Sequence, residues 1–165
     1  MADVAQHPRV RIVAEALASL GATASVTVLP DSARTAVEAA SALGTEVGAI
    51  VNSLVFDTGD GCVLVLTSGA HRVDTAHLAR GIGVAALGRA TPELVRTHTG
   101  QAIGGVSPVG HPSPVPTYVD RWLARHETVW AAAGHPHAVF ATGYDELLRL
   151  TGGTPVDVEP ADPTT

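Results

Sequence analysis

Residues 48–68, "GAIVNSLVFDTGDGCVLVLTS", hold two apolar segments on either side of a polar, glycine-rich turn. Residues 50–56 and 62–67 are rich in valine, leucine and isoleucine, which is typical of strands, and "DTGDG" between them is a hairpin signal. The pattern therefore predicts two antiparallel strands. Asn52 falls in the middle of the first strand, where a buried carboxamide requires hydrogen-bond partners.

Helical and strand patterns are mixed along the rest of the chain. Apolar residues recur at helical spacing between residues 10 and 20, a short strand is expected over 25–29, and Thr35 with Glu38 has the spacing of a capping box. Further along, the patterns predict helices over 74–80, 91–99 and 145–150, and strands over 115–119, 129–132, 138–141 and 156–158. Hairpins mixed with helices, without regular alternation of strand and helix, indicate an α+β domain.

Composition and charge restrict the class of protein. The chain of 165 residues is expected to form one domain over 1–165, with a short flexible tail from about residue 159. A formal net charge of −6 argues against coating of nucleic acid through a broad basic face, but it allows contact with one RNA end. No apolar run is long enough to span a bilayer, and the N-terminus does not resemble a secretory signal. Cys62 is the single cysteine, so we expect a buried, inert thiol in a reducing cytoplasm.

A loop rich in glycine and proline, "IGGVSPVGHPSPVP" at residues 103–116, is the first candidate for chemistry. A phosphate-binding loop is excluded because the chain has no lysine and because proline prevents the helix that such a loop requires. Ser107 does not stand in the G-x-S-x-G elbow of a serine hydrolase. Gly104 and Gly105 instead let a ligand carbonyl approach their N–H groups, and Pro108 stiffens the segment, so an oxyanion site is one reading. An ordinary tight connection between strands is the other.

Other polar residues favour structural roles. The 8 histidines form no fixed-spacing set with cysteine or glutamate, so no metal ligand is expected. His135 and His137 are expected to be a solvated pair in a loop. Arg72 and Asp74 are predicted to form an ion pair at a helix entrance, and Asp120 is predicted to cap a short helical turn.

Several segments together resemble the YbaK/EbsC family of aminoacyl-tRNA deacylases, which is related to the editing domain of bacterial prolyl-tRNA synthetases. The segments that carry the resemblance are "LGTEVGAIVNSLVF", "VLVLTSGAHRVD", "TPELVRTHTGQAIGGVSPVGH", "VDRWL", "VWAAAGHPHAVFATGYDELLRLTGG" and "VDV". They follow the family order from about residue 35 to residue 158, and "IGGVSPVGH" is the most specific of them. The resemblance implies a mixed, barrel-like β-sheet flanked by helices.

The resemblance also implies a function. It is that of a stand-alone trans-editing hydrolase, which cleaves the ester between a wrong amino acid and the terminal ribose of a mischarged tRNA, with tRNA(Pro) bearing Cys or Ala as the expected substrate. The expected partners are the 3′ end of aminoacyl-tRNA and prolyl-tRNA synthetase. No cofactor, membrane or DNA partner is expected, and the oligomeric state is expected to be a monomer or a weak dimer.

By the same resemblance, the loop at residues 104–108 matches the family's G-x-x-x-P motif, whose backbone holds the aminoacyl end. The residues expected to be catalytic are Asn52, Gly104, Gly105, Val106, Ser107 and Pro108. The residues expected to bind substrate are Ser53, Leu54, Arg72, His111, Asp120 and Gly134.

The chain departs from the family pattern at residue 52. That pattern resembles "IVKSLVF", with a lysine that binds and orients the substrate, whereas this chain has Asn52 and no lysine anywhere. Asparagine keeps hydrogen-bonding groups but lacks the charge and about three bonds of reach. One hypothesis is a hydrolase that uses bound water and backbone donors, slowed on the order of 10²–10³ by the missing charge. The alternatives are a weakened or inactive member that binds an aminoacyl ligand as a regulatory module, and an Asn52 that braces neighbouring loops away from the pocket.

Overall fold

The computed structural model describes residues 3–160, which form helices around two β-sheets. The helices are α1 Pro8–Ser19, α2 Ala36–Leu43, α3 Thr75–Ile82, α4 Pro92–Thr99 and α5 Tyr144–Thr151. The strands are β1 Val26–Val28, β2 Val51–Asp57, β3 Cys62–Ser68, β4 Gly88–Arg89, β5 Thr117–Asp120, β6 Val129–His135, β7 Ala138–Thr142 and β8 Thr154–Val156. Within residues 3–160, none of the helices has the length and apolar character that a membrane crossing requires.

The two sheets share one bridge. The larger has the strand order β4-β2-β3-β5-β8 and the smaller has the order β1-β7-β6. The predicted hairpin is confirmed, because β2 and β3 pair antiparallel from Val51 opposite Ser68 to Asp57 opposite Cys62. A parallel bridge between Ile50 and Trp130 joins the sheets, which do not close into a barrel in the described part of the chain. The predicted α+β class is confirmed, with an open arrangement of its mixed sheets.

The main core lies between α1, β3 and the small sheet. Every residue of β3 is buried, which explains why residues 62–66 form an unbroken apolar run instead of an alternating pattern. Val13 from α1 and Phe140 from β7 are fully buried in the same cluster as Leu64 and Leu66. The helix at the N-terminus therefore belongs to the core.

Helix ends follow the sequence signals closely. The Glu38 N–H donates to Thr35 Oγ1 at 3.1 Å, which confirms the capping interaction at the start of α2. The Leu94 N–H donates in the same way to Thr91 Oγ1 at 3.1 Å, at the start of α4. Gly100 ends α4 with a φ of 71°, a left-handed conformation that favours glycine.

Two short strands differ from the prediction. β8 lies two residues before the predicted strand 156–158, and it includes Pro155, which an edge strand tolerates because its unpaired side needs no N–H donor. Val158 is instead buried, and its carbonyl accepts from the Asp74 N–H at 2.8 Å. β4, with two residues, is too short to give a periodic signal. The predicted tail falls mainly on residues 161–165, which lie outside the described residues.

The single cysteine is buried in β3, as expected. Burial raises the pKa of the Cys62 thiol, and the neighbouring Asp57 carboxylate raises it further. The thiol is therefore protonated and poorly nucleophilic at neutral pH.

Candidate active site

A cavity of about 350 Å³ lies between β2 and the glycine-proline loop. Its volume falls in the range of small-ligand pockets. Asn52, Ser53 and Leu54 line it from β2, and the loop contributes Gly104, Gly105 and Val106. The remaining wall includes Trp130 and Ala132 of β6, Pro136 in the following turn, Ala138 and Val139 of β7, and the segment 33–36 before and at the start of α2. The two sequence segments singled out for chemistry thus meet at one cavity.

Asn52 is a partly exposed residue in the lining of this cavity. It stands opposite Thr67 in the β2–β3 ladder, which fixes its position on the strand. Its carboxamide has no hydrogen-bond partner among residues 3–160. The bracing bonds considered as an alternative role for Asn52 are therefore not formed in the described part of the chain.

The loop opposite Asn52 offers unpaired backbone donors. Gly104 has a φ of +93°, and a Cβ on Gly105 would lie 2.8 Å from the carbonyl carbon of His135, so the chain needs glycine at both positions. The Gly105 carbonyl accepts from the Gly134 N–H at 3.0 Å, which holds the loop against β6. The N–H groups of Gly104, Gly105 and Val106 donate to no acceptor within the described residues. The loop is thus fixed by its carbonyl while its donors stay free for a ligand.

A buried glutamine holds this loop from behind. The Ser107 N–H donates to Gln101 Oε1 at 2.7 Å, and Gln101 Nε2 donates to the Val109 carbonyl at 3.2 Å. The Val109 N–H in turn donates to Ser107 Oγ at 3.2 Å. Ser107 is fully buried and does not line the cavity, so the geometry gives it a structural task. The sequence interpretation missed Gln101, whose one signal is a lone carboxamide next to a predicted helix end.

His111 and Pro108 lie behind the loop as well. His111 Nε2 donates to the Ser107 carbonyl at 2.7 Å, and the ring borders a separate cavity of about 400 Å³ together with Arg9. Burial lowers the pKa of His111 more than its bond to Ser107 raises it, so the imidazole is neutral at pH 7. Pro108 is buried and borders an open groove on the same far side. Neither residue reaches the cavity that holds Asn52.

Asp120 supports the hairpin from the neighbouring strand. Its Oδ2 accepts from Thr67 Oγ1 at 3.1 Å and from the Ser68 N–H at 3.0 Å, and it contacts His71 Nδ1 at 2.8 Å. Its Oδ1 accepts from the Trp122 N–H at 3.0 Å, which confirms the predicted cap of a short helical turn. Because Thr67 stands opposite Asn52, this buried carboxylate braces the strand pair without lining the cavity.

Arg72 and Gly134 also lie outside the cavity lining. The Arg72 N–H donates to Glu159 Oε1 at 2.7 Å, while Asp74 caps α3 by accepting from the His77 N–H at 2.9 Å. The predicted ion pair between Arg72 and Asp74 is wrong, since no such contact exists among residues 3–160. Gly134, with a φ of +95°, packs so close to α1 that a Cβ would lie 2.7 Å from the Arg9 carbonyl oxygen.

A second compartment of about 390 Å³ adjoins the first. The two share Ser53, Leu54, Ile103, Gly104 and Val106. The rest of its wall is mainly apolar. It includes Val55 and Phe56 of β2, Val95 of α4, and Leu87 and Ala90 on either side of β4. Ser53 Oγ is buried and has no hydrogen-bond partner among the described residues. Within residues 3–160, no cluster of three or more histidine, cysteine or acidic side chains is arranged to hold a metal ion.

Known proteins share this sequence and architecture. The model of the aminoacyl-tRNA editing domain matches residues 30–150. The uncharacterised protein YwhH of Bacillus subtilis is 33% identical over 127 residues, covering 76% of this chain and 80% of YwhH. A proline–tRNA ligase of Thermosipho melanesiensis is 39% identical over 77 residues, which are 47% of this chain and 14% of the ligase.

The solved structures agree with the sequence relatives. A crystal structure described as a candidate trans-editing enzyme for prolyl tRNA synthetase superposes with a TM-score of 0.86 at 48% identity, covering 93% of this chain and 98% of its own. The family match spans most of this chain, including β2, the glycine-proline loop and nearly all of the residues that line the two compartments. The chain therefore belongs to the YbaK-type family of aminoacyl-tRNA editing domains.

Proposed function

We propose that this protein hydrolyses the ester of a mischarged aminoacyl-tRNA, with tRNA(Pro) bearing Ala or Cys as the substrate. The observation that carries the proposal is that one cavity of about 350 Å³ is lined both by Asn52 and by the loop at 104–106, whose carboxamide and N–H groups have no partners among the described residues. Such a cavity can accept an acylated ribose and offer backbone donors to the ester carbonyl. The matches to a proline–tRNA ligase and to a candidate prolyl-tRNA trans-editing enzyme support this substrate class.

The chemistry follows from the donors. A water molecule attacks the ester carbonyl carbon, and the negative charge that develops on the carbonyl oxygen is stabilised by the N–H groups of Gly104, Gly105 and Val106. The bond from that carbon to the ribose oxygen then breaks, and the proton of the attacking water passes to the ribose oxygen. Asn52 donates to a ribose hydroxyl or to the ester carbonyl and thereby orients the substrate.

The cavity contains no side chain that could serve as a strong general base. Among its described lining residues there is no carboxylate and no imidazole, and Arg34 is the only charged side chain. The proton of the attacking water is therefore relayed by solvent and by the substrate's own hydroxyl and amino groups. This arrangement makes the preorganised backbone donors the dominant contribution of the protein.

The proposal is tested by incubating the protein with Ala-tRNA(Pro) and Cys-tRNA(Pro) and measuring the release of the amino acid. Hydrolysis above the spontaneous rate is expected, and Gly104→Ala should lower it on the order of 10²-fold, because the strained φ displaces a backbone donor. Gly21→Ala is the matched control, since Gly21 has a similar φ of 74° with nothing near its missing Cβ. Release at the spontaneous rate, or equal rates in both variants, would contradict the proposal.

A second candidate function is favoured by the absence of a carboxylate or imidazole from the described lining of the cavity. With Asn52 in place of a lysine and no general base in the described lining, the protein can bind an aminoacyl ligand without cleaving it. A non-hydrolysable aminoacyl-adenosine amide distinguishes the two functions. Binding of this amide together with no release from either charged tRNA supports a binding module.

A further inference from the structure

Four nitrogen-rich side chains gather at the start of α1 and the turn after β6: His7, Arg9, His135 and His137, here called the basic cluster. The ring centroids of His7 and His135 lie 5.3 Å apart, and those of His135 and His137 lie 5.6 Å apart. Arg9 Nη2 lies 3.5 Å from His7 Nε2. His135 and His137 were expected to be a solvated loop pair, but both are partly buried and belong to this cluster.

The basic cluster has no negative partner in the described part of the chain. No carboxylate there lies within ion-pair distance of Arg9 or of the three rings, although acidic residues outnumber basic ones overall. Arg9 Nε and His137 Nε2 are buried without a hydrogen-bond partner among residues 3–160. Burial lowers the pKa of His135, and the neighbouring His7, His137 and Arg9 lower it further. Buried polar groups without hydrogen-bond partners indicate a ligand site, and a guanidinium beside imidazole N–H groups favours an anion.

The basic cluster adjoins the candidate active site. Pro136, between two of its histidines, lines the cavity that holds Asn52. The loop donor Gly105 packs directly against the His135 backbone, and a Cβ there would lie 2.8 Å from it. An anionic group bound to the cluster would thus lie at the rim of the cavity, next to its glycine wall.

We propose that the basic cluster binds a backbone phosphate of the polynucleotide whose acylated 3′ end occupies the cavity. This inference rests on the proposed function, because the ribose in the cavity continues into a phosphodiester chain. Arg9 supplies a permanent charge and the histidines supply N–H donors, which together suit a phosphate group. The cluster would therefore distinguish a tRNA end from a free aminoacyl nucleoside, and it gives an acidic protein a local RNA contact.

The test compares two probes in a binding assay such as fluorescence anisotropy. One is a 5′-phosphorylated CCA trinucleotide that carries alanine at its 3′ end through a non-hydrolysable amide, and the other is the phosphate-free 3′-alanylamido-adenosine. Arg9→Gln should weaken binding of the trinucleotide about tenfold and leave the nucleoside unchanged, because it removes one charge-assisted contact. It should also reduce the slope of log affinity against log salt by about 0.7.

Two variants control for charge and folding. Arg11→Gln removes the same charge from an exposed position of the same helix and should change neither affinity. Arg9→Lys keeps the charge and should retain most of the binding of the trinucleotide. The proposal is overturned if Arg9→Gln has no effect, if it matches Arg11→Gln, or if inorganic phosphate binds as tightly as the trinucleotide.

The two proposals fail separately. If the wild-type protein does not bind the phosphate-free nucleoside, the proposed use of the cavity fails. The phosphate site is then judged with the CCA trinucleotide that carries no amino acid, whose binding must still fall about tenfold in Arg9→Gln. If the wild-type protein binds the phosphate-free nucleoside but Arg9→Gln weakens neither trinucleotide, the phosphate site fails and the cavity assignment stands.

Discussion

Asn52 is a partly exposed polar residue at a position fixed by the strand ladder. The residue lines the cavity, its carboxamide has no partner among residues 3–160, and Thr67, opposite it, is held by the buried Asp120. Asparagine there can orient a substrate hydroxyl, but it carries no charge to stabilise a developing oxyanion. In the proposed reaction, that task therefore falls to the backbone donors of Gly104, Gly105 and Val106.

Restoring a lysine at this position should raise activity. For Asn52→Lys we expect an increase in kcat/KM for a mischarged tRNA on the order of 10²–10³, because a positive charge then lies beside the reacting carbonyl in a partly dehydrated cavity. Asn52→Gln is the control, since it extends the side chain without adding charge. A lysine variant that is no faster than the glutamine variant would show that charge at this position does not limit the reaction.

At the scale of an element, the glycine-proline loop depends on Gln101. This buried side chain pairs with both the Ser107 N–H and the Val109 carbonyl, so one residue fixes the backbone that presents the loop donors. Gln101 and its two partners follow neither helical nor strand spacing, because the loop has no regular structure. Its correct placement is thus a matter of specific hydrogen bonds, not of helix or strand propensity.

Replacing this glutamine should affect stability and catalysis together. Gln101→Leu leaves a buried N–H and a buried carbonyl unpaired, so the free energy of unfolding should fall by about 2–4 kcal/mol. Because the loop donors also lose their support, kcat should fall more than KM rises. Urea unfolding and steady-state kinetics measure these effects, with the exposed Gln6→Leu as the matched control. A normal kcat in a destabilised Gln101→Leu variant would show that the hydrogen bonds of Gln101 do not contribute to catalysis.

Elements defined by local signals were predictable from sequence. Thr35 and Thr91 cap helices where their spacing indicates, and the β2–β3 hairpin follows from its turn and apolar segments. β4 was missed because two residues carry no periodicity, and β8 was shifted because tertiary pairing with β5 decides its register. Local chemistry thus specifies the long elements, and packing specifies the short ones.

The candidate site was predictable only in part, for the same reason. Asn52 is recognisable in the sequence because a polar carboxamide lies within an apolar strand. Gly104 is recognisable because it begins a pair of glycines in a proline-rich loop. The second compartment and the basic cluster bring together residues far apart in the chain, such as Arg9 and His135, and no local pattern reports that closeness. His111 was expected at the substrate, but the fold turns it to the far side of the loop.

At the scale of the whole molecule, partly buried histidines are expected to make stability depend on pH. Burial lowers the pKa of both His111 and His135 from 6.5, so the unfolded chain binds more protons than the native one below that pH. The free energy of unfolding should therefore be maximal above pH 6.5 and fall as the pH decreases toward 5. Glu146, whose pKa is lowered from 4.5 mainly by its bond to Thr142, adds a separate loss at more acidic pH.

Urea unfolding between pH 7.5 and 5 measures this effect. The double variant His111→Gln, His135→Gln should show a flatter dependence over this window than the wild type and than His77→Gln, a variant in α3. An unchanged slope in the double variant would mean that other groups take up the protons.

The packing of α1 against β6 has a practical consequence for dissecting this protein. The family match begins at residue 30, yet Val10, Val13 and Leu17 fill the interior beneath Ala131 and Ala133. A fragment restricted to the family match would lose one wall of its hydrophobic core and would expose an apolar surface to water. Transfer of the pocket to another scaffold, or its expression alone, therefore requires that α1 be included.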